Sequence, residues 1–77
     1  MSRDLVEYIA KSLVDTPEAV SVAEAEGERS TVLELRVAEG DIGKVIGKYG
    51  RIAKAIRTVL SASKSRSGAR YSLEILE

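Results

Sequence analysis

The sequence predicts an α+β fold in the order α-β-β-α-α-β, a three-stranded mixed sheet with its helices packed on one face. Three observations carry that prediction. Apolar residues recur at helical spacing in two stretches, Leu5, Val6, Ile9, Ala10, Leu13 and Val14 and then Ile52, Ala53, Ile56, Val59 and Leu60. Strict alternation marks Leu33, Leu35 and Val37, and again Tyr71, Leu73 and Ile75. Gly47 and Gly50 interrupt a helical pattern between the alternating stretches, so the chain turns a corner there.

The first helix is amphipathic, with Arg3, Asp4, Glu7, Lys11 and Ser12 opposite its apolar face and Ser2 placed to cap it. Thr16-Pro17 ends it, because the residue before a proline resists the helical region. Residues 19–25 set Val20 and Val22 in alternation with Ser21 and Ala23, a short strand. Glu26-Gly27-Glu28-Arg29-Ser30 reads as a hairpin connection, and residues 31–38 form the clearest strand. Glu39-Gly40-Asp41 turns the chain, with Asp41 placed to cap a short helix over 42–46. After the glycine corner comes a longer helix, with Arg51, Lys54, Thr58 and Ser61 away from its apolar face and Arg57 at the border. Residues 61–68 are too polar for a core element and read as helix end plus loop; residues 71–76 supply the last strand. The strands over 31–38 and 71–76 are joined through two helices. That crossover is long enough to make them parallel neighbours with a right-handed connection.

A chain of 77 residues is read as one domain, residues 1–77, near the lower limit for a self-sufficient core. Its hydrophobic fraction of 44% with only 3 Tyr as aromatics predicts a compact aliphatic interior. The absence of Cys rules out a disulfide framework and suits a reducing compartment. The absence of His removes the commonest metal ligand and general base. Met1-Ser2-Arg3-Asp4-Leu5 opens no apolar run of signal-peptide length, and no stretch is apolar for long enough to cross a bilayer. A soluble cytoplasmic protein is expected, with no membrane partner, metal or cofactor.

Twelve basic and 12 acidic residues cancel to a formal net charge of zero, but their order along the chain does not cancel. From Asp15 to Asp41 the acids Glu18, Glu24, Glu26, Glu28, Glu34 and Glu39 face only Arg29 and Arg36. Residues 42–73 carry Lys44, Lys48, Arg51, Lys54, Arg57, Lys64, Arg66 and Arg70 and no Asp or Glu. An ordinary solvated helix interleaves both signs, so a one-signed segment points to a polyanionic partner. The plainer reading is a solvated basic face neutralised by acids elsewhere in the fold.

Interior glycine costs a helix about 1 kcal/mol against alanine. Gly47-Lys48-Tyr49-Gly50 is therefore read as a tight corner whose backbone something approaches closely, and inside a basic segment that something is phosphate. The glycines leave no Cβ in the way, and the following helix offers amide donors at its start. Lys48 supplies a mobile charge, Arg51 reaches the next phosphate, and Lys44 and Lys54 flank the track. Ile42, Val45, Ile46 and Ile52 are expected to line an aliphatic floor for the bases. Tyr49 either stacks on a base, worth about 1–3 kcal/mol, or is exposed filler. Lys64, Arg66 and Arg70 form either an opposite wall or a solvated loop.

Val45-Ile46-Gly47-Lys48-Tyr49-Gly50 followed by an apolar-periodic helix resembles the K-homology (KH) domain, whose GxxG loop clamps about four nucleotides of single-stranded nucleic acid. The element order resembles the type II form of that domain. Closer still, the run from Gly43-Lys44-Val45-Ile46-Gly47-Lys48 through Gly50-Arg51-Ile52-Ala53-Lys54-Ala55-Ile56-Arg57 makes the whole chain similar to the small bacterial RNA-binding proteins of the KhpA family. The resemblance implies binding of single-stranded RNA with low sequence specificity and a role as RNA chaperone or post-transcriptional regulator. It also implies a homodimer, or pairing with a larger KH/R3H protein of the KhpB type, and in some bacteria a link to cell-wall synthesis, cell shape and division. One departure is Ala53, where many KH domains carry a large aliphatic residue; it implies a shallower core or groove floor.

Other chemistries fail on spacing. A nucleotide-hydrolase phosphate loop needs one more residue between Gly43 and Gly47, and Tyr49 replaces the hydroxyl that would hold Mg²⁺. A dinucleotide site needs Gly-x-Gly, and a membrane-helix glycine pair would not carry these lysines. The carboxylates have no His or Cys beside them, so no enzyme activity is expected. Two further readings stay open: a protein–protein adaptor whose GxxG is structural, docking through residues 5–14 or the acidic strands, and a single-stranded DNA binder. A site for so few nucleotides gains from duplication, and Ala55, Thr58, Val59 and Ala62 are the expected contact edge.

Overall fold

The computed structural model describes residues 2–63 and 68–76. Its elements are helix α1 (Ser2–Leu13), strands β1 (Ser21–Glu26) and β2 (Ser30–Arg36), the short helix α2 (Ile42–Ile46), helix α3 (Arg51–Ser61) and strand β3 (Arg70–Leu76). The strands lie in the order β1-β2-β3. β1 runs antiparallel to β2, and β3 parallel to it. This is the mixed sheet and element order of a type II KH domain, as the sequence predicts.

Register explains which residues make the core. Val22 stands opposite Leu35, which stands opposite Ile75, and Leu33 stands opposite Leu73, so these side chains share one face of the sheet. Val6 and Ala10 of α1, Val45 of α2, and Ala53, Ile56 and Leu60 of α3 are buried with them. Ala23, Arg36, Ser72 and Glu74 fall on the other face and are exposed. At about 25 cal/mol for each Å² of apolar surface removed from water, this one layer of aliphatic contacts is the main stabilising term.

Several local expectations are corrected. α1 stops at Leu13 and Pro17 opens a separate turn of 3₁₀ helix at Pro17–Ala19. Ser2 lies inside α1 as its first residue and is buried, while Arg3 Nε donates to the Val22 carbonyl at 2.8 Å and ties α1 to β1. Val45 is fully buried, so it belongs to the core and not to a groove floor. Ala53 is buried too, which puts the small residue in the interior. Leu5 and Leu13 on α1 and Val59 on α3 stay 43%, 37% and 47% exposed: the apolar stripes of both helices are wider than the sheet can cover. Among the described residues no helix is long and apolar enough to cross a membrane.

Candidate nucleic-acid interface

The corner is built by two glycines that serve different ends. Gly47 closes α2 by donating its N–H to the Gly43 carbonyl at 2.9 Å, then leaves the helix at φ 80, ψ 169. A Cβ at Gly47 would lie 2.6 Å from Ile52 Cγ1 and 2.9 Å from the Ile52 backbone nitrogen. Only glycine lets the end of α2 press against the start of α3. Gly50 is left-handed as well, at φ 72, ψ 15, yet nothing lies within 4 Å of where its Cβ would be. Its N–H donates to the Gly47 carbonyl at 3.0 Å, which closes the turn, and no side chain caps α3. Open space above Gly50 and an uncapped helix start leave backbone amides for an incoming anion.

Tyr49 adopts φ 59, ψ 24, a left-handed conformation that is uncommon for a residue with a side chain, and is 82% exposed. Lys48 Nζ and Arg51 Cζ lie 5.5 and 5.7 Å from its ring centroid. Cation–π contacts at exposed sites are worth about 0.5–1 kcal/mol, enough to bias the ring toward the two charges without locking it. Lys48, Arg51 and Lys54 are exposed and have no carboxylate partner among the described residues. Ile46 is 37% exposed beside the corner, while Ile42 and Ile52 are half-buried against the core. Ile46, Gly47, Lys48, Tyr49, Gly50 and Arg51 thus make up the corner, with Ile42 one turn back on α2 and Lys54 one turn on along α3.

Lys44 stands differently. Its ammonium lies 3.2 Å from Asp15 Oδ2 and 3.4 Å from Asp41 Oδ1, and the hydrogen bonds it donates to these two carboxylates, Asp15 first, raise its pKa above the ordinary value. Asp41 holds the position before α2 but caps nothing with its side chain. It is buried instead, and Oδ2 accepts the Thr16 N–H at 3.0 Å. Burial is the largest influence on that carboxyl and pushes its pKa up; the amides of Asp15 and Thr16 and the Lys44 ammonium together outweigh it, leaving the pKa lowered. The i,i+3 spacing of Asp41 and Lys44 was visible in sequence, but the distant partner Thr16 carried no signal there. Arg70 opens β3 opposite Ser30, lining a cleft with Glu26, Glu28 and Arg29 at the other end of α3 from the corner. Arg66 and Lys64 lie outside the described residues.

A second surface adjoins the corner. Ile9 of α1 and Ile52, Ala55, Ile56 and Val59 of α3, with Arg51 at its rim, line an apolar groove of about 260 Å³. Sequence reading places Ala55 and Val59 at a contact edge and Ile9 on the apolar face of α1, where it also packs against the core.

A family model described as the KhpA/KhpB KH domain matches residues 3–75. The chain belongs to the KhpA/KhpB KH-domain family. Curated relatives agree over nearly the whole chain. RNA-binding protein KhpA of Treponema pallidum is 54% identical over 77 residues, 100% of this chain and 96% of the relative. The KhpA of Clostridium acetobutylicum is 57% identical over 74 residues, 96% of this chain and 99% of its own, and that of Aquifex aeolicus 55% over 75, covering 97% and 95%. No solved structure matches.

Proposed function

We propose that this chain acts as one KH domain over residues 1–77 and binds single-stranded RNA in a groove centred on the 47–50 corner. The observation that carries this reading is the corner itself: left-handed backbone with open space above Gly50, flanked by Lys48, Arg51 and Lys54 without carboxylate partners among the described residues. Phosphates sit at the corner, bases lie toward Ile42, Ile46 and Tyr49, and the basic track continues along α3 to Lys54. Aliphatic and stacking contacts tolerate any base, so sequence specificity is low. The relatives' names, RNA-binding protein KhpA, support RNA as the ligand. The family resemblance supports a role as RNA chaperone or post-transcriptional regulator, working as a homodimer or beside a larger KH/R3H protein, with consequences for cell-wall synthesis and cell shape.

The test is Lys48→Asp combined with Tyr49→Asp, which keeps both glycines and puts two negative charges where phosphate belongs. Both positions are exposed, so stability should change by no more than about 0.5 kcal/mol each. Affinity for a short single-stranded RNA should fall by about tenfold or more, since hydrogen bonds to charged groups are worth about 1.5–3 kcal/mol. With about three to four phosphates neutralised in the wild type, log K against log salt should slope at about −2 to −3. Undiminished binding by the double variant would remove the corner from the mechanism. Equal affinity for the matching DNA would show that no 2′-hydroxyl is read.

A further inference from the structure

Lys44 precedes Gly47 by one helical turn, close enough for its side chain to reach a phosphate held at the corner. Yet it is the described lysine of the basic segment that two carboxylates already occupy, Asp15 Oδ2 at 3.2 Å and Asp41 Oδ1 at 3.4 Å. The two are unequal. Asp41 is buried and fixed by the Thr16 amide at 3.0 Å, whereas the Asp15 side chain is 79% exposed and sits in the connection after α1. Asp41 can serve as a fixed anchor, and Asp15 is free to leave.

We propose that Asp15 is an internal competitor of RNA phosphate: it holds Lys44 off the track in the free protein, and its displacement lets Lys44 join. An exposed ion pair of this kind shifts an equilibrium by roughly two- to fivefold, small enough for a phosphate already fixed at Lys48 and Arg51 to overcome. Asp15 and Asp41 thereby set the affinity and salt response of the site without touching RNA. The proposal rests on the RNA-binding reading above.

The test compares wild type, Asp15→Ala, Lys44→Gln and the double variant, each titrated with a fluorescent single-stranded oligouridylate at several salt concentrations. Asp15→Ala replaces an exposed side chain, so the fold is kept. It should tighten binding about two- to fivefold and steepen the log–log salt slope by less than about 0.7, the increment for a whole phosphate contact on a single strand, because the competing ion pair costs most at low salt. In the double variant that gain should vanish, leaving the affinity of Lys44→Gln alone. An unchanged affinity and slope for Asp15→Ala overturns the proposal while the RNA reading stands. The same gain with Lys44 absent overturns it too, since it would report only a change in long-range field. A wild type that shows no salt-sensitive binding fails the RNA reading itself and takes this proposal with it.

Discussion

At Gly47 the backbone holds φ 80, ψ 169, a region essentially closed to residues with a Cβ, and the Ile52 backbone nitrogen stands 2.9 Å from where that Cβ would be. A flexible side chain could move aside; a backbone atom in the first turn of α3 cannot. Conformational strain of about 1–3 kcal/mol and overpacking of about 1–3 kcal/mol then add, so Gly47→Ala should cost about 2–6 kcal/mol of stability in urea unfolding. Gly50→Ala meets open space and only the left-handed penalty, about 1–2 kcal/mol. Its larger effect should be on RNA, where a methyl group stands in the path of the phosphate. Equal stability losses for the two alanine variants would contradict the division between a steric and a conformational glycine. Tyr49 shares the left-handed region without being glycine, and stored strain in an exposed loop is most often kept for what the loop contacts.

Among the elements, α2 is tied to its neighbours by a buried carboxylate at its start. Asp41 joins it to the connection after α1, and its pKa is lowered although burial, the largest influence, works the other way. A carboxyl depressed in the folded state contributes stability that is present above its unfolded value and lost as pH falls through the folded one. Wild type should therefore lose stability faster than Asp41→Asn as pH drops below the ordinary aspartate value of 3.8, and at neutral pH the variant should be the less stable. Glu7, lowered chiefly by its hydrogen bond with Lys11, has the same sign and is common to both proteins, so the difference between them isolates Asp41. Parallel stability–pH curves from chemical denaturation would remove Asp41 from this role. The same residue marks where sequence reading stops. Periodicity placed α1, α3, β2 and β3 because burial on one face imposes it, and the loss of helix at two glycines placed the corner. Asp41 looked like a cap because caps are local, whereas its actual donor, the Thr16 amide, is 25 residues away. The apolar faces that hold Leu5, Leu13 and Val59 were legible without their exposure for a related reason: a stripe records apolar side chains, not whether anything covers them.

For the whole molecule, uncovered apolar surface next to the proposed nucleic-acid site is the feature that bears on assembly. Ile9, Ile52, Ala55, Ile56 and Val59 line a groove with Arg51 at its rim, and Tyr8, Leu5 and Val59 are 72%, 43% and 47% exposed. Burying this surface against a second copy would set two GxxG corners side by side. A longer RNA could then engage both, and linked sites gain avidity of about 10²–10⁴-fold without any new contact when geometry allows both to bind. Ala55 on α3 and Ala62 just past its end are exposed, so Ala55→Asp with Ala62→Asp should leave each protomer folded, with stability changed by about 0.5 kcal/mol or less per site. Sedimentation should show dimer giving way to monomer. Affinity for an RNA long enough to span two sites should fall at least about tenfold, while affinity for an RNA filling one site should hold. Equal losses on both RNAs would mean that the aspartates disturb the site and not the assembly. A wild type that sediments as a monomer at every concentration, with and without long RNA, would leave each corner to bind alone.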